Sequence, residues 1–266
     1  IRRELGVLVP MPEDEGRIFG GQVVAQALTA AYKTVDTLIC HSLQSYFIRP
    51  GDGRIPVLYQ IERSRDGKSF ATRRVIAIQK GEQIFNMACS FQVQESGFDH
   101  QDAMPSAPPP ESVQDDVERW REAFADKPEW LAKIRDRPIE VRPVDPVAVR
   151  DPKPAPPHHM LWLRARGDLG DDVRLNQALL AYASDYALLG AALRPHGYTW
   201  TSGVQTASLD HILWLHRPTN FHRWHLYVLD SPSASGARGF NRGALYREDG
   251  VLVASAAQEG LIRLRQ

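Results

Sequence analysis

Three polar residues in the second half of the chain stand where polar groups are costly: Asp185, Ser208 and Gln258. Asp185 lies in ALLAYASDYALLGAAL, which reads as the heart of a helix over residues 172–193 that is apolar nearly all the way round. Leu175, Leu179, Tyr182, Tyr186, Leu189 and Leu193 follow the spacing of one helical face, and Ala178, Ala181, Leu188 and Ala192 make the flank beside Asp185 apolar too. Such a helix must be enclosed, and a carboxylate enclosed with it needs donors or a task; general base is one such task. The plain alternative is an acid that reaches solvent or a salt bridge. Ser208 belongs to VQTASLDHILWLH, where strict alternation places Ser208, Asp210 and Ile212 on one face of a strand and Leu209 and His211 on the other. Gln258 follows GVLVASAA in what reads as a central strand. A hydroxyl and a carboxamide can orient a reacting molecule, but in strands they are commonly cross-strand hydrogen-bonders.

Other chemistries lack their residues. There is no G-x-S-x-G nucleophile elbow, no H-E-x-x-H and no C-x-x-C, and the GKS at Gly67 lacks the first glycine of a phosphate loop. His158 and His159 sit in a Pro-rich stretch and read as a solvated loop rather than a metal site.

Composition narrows the partner. The 266 residues suffice for one large domain or two small ones, two being the better reading. Lys plus Arg and Asp plus Glu balance at 32 each, so no nucleic-acid or acidic-membrane footprint is expected, and a small molecule is the expected partner. Cys40 and Cys89 lie in apolar runs and read as buried free thiols, which fits a reducing, cytoplasmic setting. No apolar run is long enough to span a membrane, and no signal peptide is visible. Because the sequence opens at Ile1, the natural N-terminus and any signal in it are expected to lie outside it.

The elements that would position the three residues occur twice. An apolar helix over 19–32 precedes strands near 41–48, 55–63, 69–79 and 83–94; the helix around Asp185 precedes strands near 204–216, 224–229, 237–246 and 251–264. Shifting the chain by 168 aligns the strand regions without a gap, pairing Arg49 with Arg217, Tyr59 with Tyr227 and Arg74 with Arg242. The shared order of elements weighs more than these identities. Each half then reads as a long helix in the curve of a four- to six-stranded antiparallel sheet, an α+β arrangement. The expected units are residues 1–97, a Pro-rich connector with a charged helical piece over 98–134, and residues 135–266, which carry all three polar candidates.

The strings RIFGGQVVAQAL, HSLQSYFIRPGD, LLAYASDYALLGAALRPHG, SLDHILWLHRP and SASGARGFNRGALYREDGVLVASAAQEG resemble the type II acyl-CoA thioesterases of bacteria and peroxisomes, in order from about Gly16 to Arg263. The resemblance implies a double hotdog fold, hydrolysis of fatty acyl-CoA to free acid and CoA, no cofactor, and a site of an Asp, a Thr or Ser, and a Gln, which fall on Asp185, Ser208 and Gln258. Many members carry Thr where this chain has Ser208, and the hydroxyl is retained. Assembly into a homo-oligomer, dimer or tetramer, is expected, with no integral membrane association.

On this reading Asp185 takes a proton from a water whose other bonds Ser208 and Gln258 hold, with no covalent intermediate. An oxyanion donor could come from the start of the first helix, where Gly20 and Gly21 allow close backbone approach, although the same glycines could serve only packing. Two rivals are an enoyl-thioester hydratase of the same fold, which would carry an Asp and a His close together at the start of its helix, whereas no His adjoins Asp185 in the sequence, and a non-catalytic acyl-CoA binder.

Overall fold

In the computed structural model, residues 2–8, 16–131, 138–199 and 202–264 are described. The period-two runs of the first half become β2 (Ile39–Phe47), β3 (Val57–Asp66), β4 (Phe70–Gln79) and β5 (Glu82–Gln92), behind α1 (Gly20–Tyr32) and a strand β1 (Arg2–Leu8) that the sequence reading did not foresee. The connector holds α2 (Asp116–Ala123) and α3 (Pro128–Leu131). Then follow β6 (Ile139–Pro143), β7 (His158–Ala165), α4 (Val173–Ser184), α5 (Gly190–Leu193), β8 (Val204–Ser208), β9 (Asp210–Leu215), β10 (His225–Ser235), β11 (Arg238–Arg247) and β12 (Leu252–Leu264).

All the strands form one sheet, in the order β1-β3-β4-β5-β2-β9-β12-β11-β10-β7-β6, with β8 beside β12. The halves meet at the antiparallel β2–β9 ladder, whose middle pair is Gln44 with Ile212. Those two residues are themselves 168 positions apart, so the shift that aligns the strand regions maps this ladder onto itself. A local twofold relation therefore passes through the junction. The helices pack together on one face: α1 lies on α4 and on β3, β4 and β5, while α5 covers β10 and β11. Leu43, Tyr59, Phe85, Phe91, Leu161, Leu163, Tyr227 and Leu245 fill the space between, each at most 1% exposed; each such side chain contributes about 1.5–3 kcal/mol by leaving water.

Three sequence expectations need correction. The helix expected over 172–193 is broken: α4 ends at Ser184, Asp185 is its C-cap residue, and Ala187 takes a positive φ of 62° before α5 begins. The cause is tertiary. The Tyr227 hydroxyl donates to the Ser184 carbonyl at 2.7 Å, and the Ser184 hydroxyl turns back to the Ala181 carbonyl at 2.9 Å, so the next helical turn loses its acceptor. Leu175, placed on the enclosed face by spacing, is exposed, and Asn176 and Gln177 are buried instead. Finally, His158 and His159 open strand β7 rather than a loop, and His159 Nδ1 lies 2.8 Å from Asp145 Oδ1.

Candidate active site

Asp185 owes its position to the end of α4, and it is turned toward the start of α1. Its Oδ2 accepts the Gly21 backbone N–H at 2.8 Å, and its Oδ1 accepts Gln258 Nε2 from the centre of β12 at 2.6 Å. Asp185 is 9% exposed and Gln258 is wholly buried. Both donors are neutral, and no Lys or Arg bonds the carboxylate among the described residues.

The glycines explain how a backbone comes so close. A Cβ on Gly20 would stand 2.7 Å from Asp185 Oδ2, and one on Gly21 would stand 2.2 Å from the Tyr182 carbonyl oxygen. Only residues without a side chain let the first turn of α1 meet the last turn of α4. The Gly21 N–H is thus engaged by the carboxylate and is not open to an oxyanion. The Gly20 N–H, one residue earlier, has no hydrogen-bond partner among the described residues.

Asp185 and Gly20 stand on the wall of a cavity of about 960 Å³ between the two halves. Ser208 stands on the same wall, half-buried, with no hydrogen bond from its hydroxyl to Asp185 or Gln258. The structure therefore joins Asp185 and Gln258 directly and gives Ser208 a place at the same cavity. Asp116 and Arg119 of α2 reach this cavity from the connector: Tyr186 donates to Asp116 Oδ2 at 3.2 Å, and Arg119 Nη1 lies 2.9 Å from Asp116 Oδ1. Burial pushes the Asp116 carboxyl above the usual carboxylate range against the pull of Arg119.

The residue that sequence reasoning missed is His211. Strict alternation put it on the face opposite Ser208. The strand is interrupted at Leu209 between β8 and β9, where the register against β12 shifts by one residue, and His211, Leu213 and Leu215 point inward as the alternation of β9 has them. His211 is fully buried, its Nδ1 is 3.9 Å from Asp185 Oδ1 and 3.4 Å from Gln258 Nε2, and its Nε2 is 2.8 Å from Ser184 Oγ. Burial holds the imidazole below its ordinary pKa and outweighs the opposing pull of Asp185, so the ring is neutral. The interruption has a counterpart in β2, where the register against β5 slips between Cys40 and Ser42. Neither is visible as a pattern of residue types.

The described residues contain no cluster of three or more His, Cys, Asp or Glu able to hold a metal, and no helix among them is long and apolar enough to cross a membrane. Cys40 and Cys89 are buried free thiols.

Comparison with known proteins agrees with this geometry. The acyl-CoA thioesterase family matches residues 133–261, and the acyl-CoA thioesterase N-terminal domain matches residues 9–92. The chain is 44% identical to human acyl-coenzyme A thioesterase 8 over 94% of its own length and 81% of that protein. It is 37% identical to acyl-CoA thioesterase 2 of Haemophilus influenzae, over 94% and 89% of the two chains. Among solved structures, acyl-CoA thioesterase II TesB2 from Mycobacterium marinum superposes with a TM-score of 0.80 at 38% identity, covering 98% of this chain and 94% of that one. A hot dog fold protein from Alicyclobacillus acidocaldarius, at 19% identity and a TM-score of 0.78 over 100% and 94% of the two chains, shares the architecture. With its two halves joined through β2 and β9, its helices on one face and its acid at their meeting point, the chain has the hotdog fold and belongs to the acyl-CoA thioesterase family.

Proposed function

We infer that the chain hydrolyses acyl-CoA thioesters to free acid and CoA, and that it does so by direct attack of a water that Asp185 deprotonates. The observation that carries this reading is the environment of Asp185: a buried carboxylate on a cavity wall, aimed by two neutral donors. Neutral donors position the acid without the competing charge of a bonded Lys or Arg.

A departing thiol has a pKa of about 8.5 and needs little help from a general acid. What remains is to aim a water and to stabilise an oxyanion. The water proton passes to Asp185 while its oxygen bonds to the thioester carbonyl carbon. Collapse of the tetrahedral intermediate breaks the C–S bond, and the electron pair leaves on the thiolate. Ser208 and Gln258 take the water's other bonds. The oxyanion falls to the unpartnered Gly20 N–H at the head of α1, where the helix dipole favours negative charge. The acyl chain lies along Ile18, Phe19, Val23, Phe47 and Leu188, and the CoA phosphates meet Arg17 and Arg49 on the exposed rim of the same cavity.

Mass spectrometry of enzyme quenched during turnover of an acyl-CoA tests this route. The direct-water reading expects an unmodified chain and no burst of thiol; an acyl group on Ser208 would replace it with nucleophilic catalysis.

A further inference from the structure

Gln258 has two ends of equal size, and only its neighbours decide which faces Asp185. Its Nε2 faces both Asp185 Oδ1 at 2.6 Å and His211 Nδ1 at 3.4 Å. Its Oε1 is the one buried side-chain polar atom among the described residues with no hydrogen-bond partner. A buried orphan acceptor costs about 1–3 kcal/mol unless it serves a purpose.

In the resting site the carboxylate alone would hold the NH2 group toward it. That preference vanishes once Asp185 has taken a proton, because a carboxyl group both donates and accepts. We propose that His211 is a positioning residue, whose unprotonated Nδ1 keeps the Gln258 amide oriented through the step in which Asp185 is protonated, leaving Oε1 to accept from the attacking water. This rests on Asp185 being the base.

The tautomer this requires is set by Ser184. The Ser184 hydroxyl donates to the Ala181 carbonyl at 2.9 Å, so its oxygen accepts at 2.8 Å from His211 Nε2, which must carry the proton. Nδ1 is then the acceptor. The backbone of His211 is fixed as well, because Ser45 Oγ of β2 donates to its carbonyl at 2.8 Å across the junction of the halves. The titratable groups facing Asp185 from the packed elements are His211 of β9 and Tyr227 of β10, and the Tyr227 hydroxyl is already donated to Ser184. His211 is thus the neighbour free to accept from Gln258.

The experiment compares His211→Leu and His211→Asn for kcat and KM on one acyl-CoA, with thermal unfolding measured alongside. His211→Leu should lose kcat by on the order of ten- to a hundredfold with KM within about twofold. His211→Asn should recover most of that loss, because Asn Oδ1 can stand where Nδ1 stood. In a Gln258→Leu background, His211→Leu should lower kcat no further. Equal losses in the Leu and Asn variants, or independent losses in the double variant, would overturn the proposal. Nitrogen NMR of histidine-labelled parent enzyme at neutral pH gives a reading that does not depend on any variant folding well. It should show one buried imidazole protonated only at Nε2, and finding every buried ring protonated at Nδ1 or doubly protonated would overturn it. Full activity in Asp185→Asn would instead sink the assignment of Asp185 as the base, on which the proposal rests, while leaving hydrolysis itself standing.

Discussion

Gln258 Nε2 donates to Asp185 Oδ1 at 2.6 Å, a bond between the middle of β12 and the residue where α4 stops. A charge-assisted bond this short makes the pair one unit, and its two members should fail in different ways.

Asp185→Asn keeps the shape and removes the base. Turnover should fall by on the order of a hundredfold or more with KM little changed. Combining it with Gln258→Ala or Ser208→Ala should add little, because those residues act on the water that Asp185 activates. Thiol release under saturating substrate measures this, and additive losses would separate the three residues into independent roles.

Gln258→Glu should make a pH-dependent enzyme. Two carboxyls at this distance cannot both ionise, so one proton is shared and the introduced carboxyl has a folded pKa above its unfolded value. The repulsion is absent below the unfolded pKa and grows as pH rises through the folded one. Activity and unfolding midpoint, each relative to the parent, should therefore both improve as pH falls from neutral toward about 5. A flat ratio would mean that the introduced group has left Asp185.

Gly21→Ala brings a methyl to 2.2 Å from the Tyr182 carbonyl oxygen, whereas a Cβ at Gly190 meets nothing within 4 Å. The first should cost about 1–3 kcal/mol and push α1 away from Asp185. Gly190→Ala should be neutral or stabilising by about 0.5–1 kcal/mol. Urea midpoints of the two variants give the comparison, and equal midpoints would count against the close approach as the reason for the glycine.

His225 should weaken the fold in acid. It is fully buried, its Nε2 is 2.6 Å from Thr219 Oγ1 and its Nδ1 is 2.9 Å from the Arg223 carbonyl oxygen, and burial lowers its pKa from 6.5 to about 4. The unfolded chain binds this proton first, so stability is complete above the unfolded pKa and falls between about 6.5 and about 4. The loss approaches about 3 kcal/mol at the lower end. His225→Gln should flatten that part of the stability curve; an unchanged slope would assign the acid sensitivity elsewhere.

The parts of this molecule that were legible in sequence are those governed by local periodicity. β4 and β11 fall within a residue of where alternation puts them, and the apolar run around Asp185 correctly marked an enclosed acid. The parts that were not are decided by distant partners. Tyr227 ends α4 at Ser184 from 43 positions away, and His211, on the inward face of β9, meets Gln258 from 47 positions away, which no local alternation shows. For the same reason His158 and His159, which sit beside prolines, read as a loop, whereas β10 pairs with both at the opening of β7. Ser208 stands out by type, and it closes β8 immediately before the interruption at Leu209.

The bond from Gly21 to Asp185 spans 164 positions, and the one from Gln258 to Asp185 another 73. Closing loops of that length is slow, because chain entropy must be lost before the contact rewards it. During synthesis the N-terminal half can gather its own sheet early, while the junction strand β9 and the donor on β12 are still being made. Catalytic competence is therefore expected late on the folding pathway, and the appearance of thiol release would report the meeting of α1, α4 and β12.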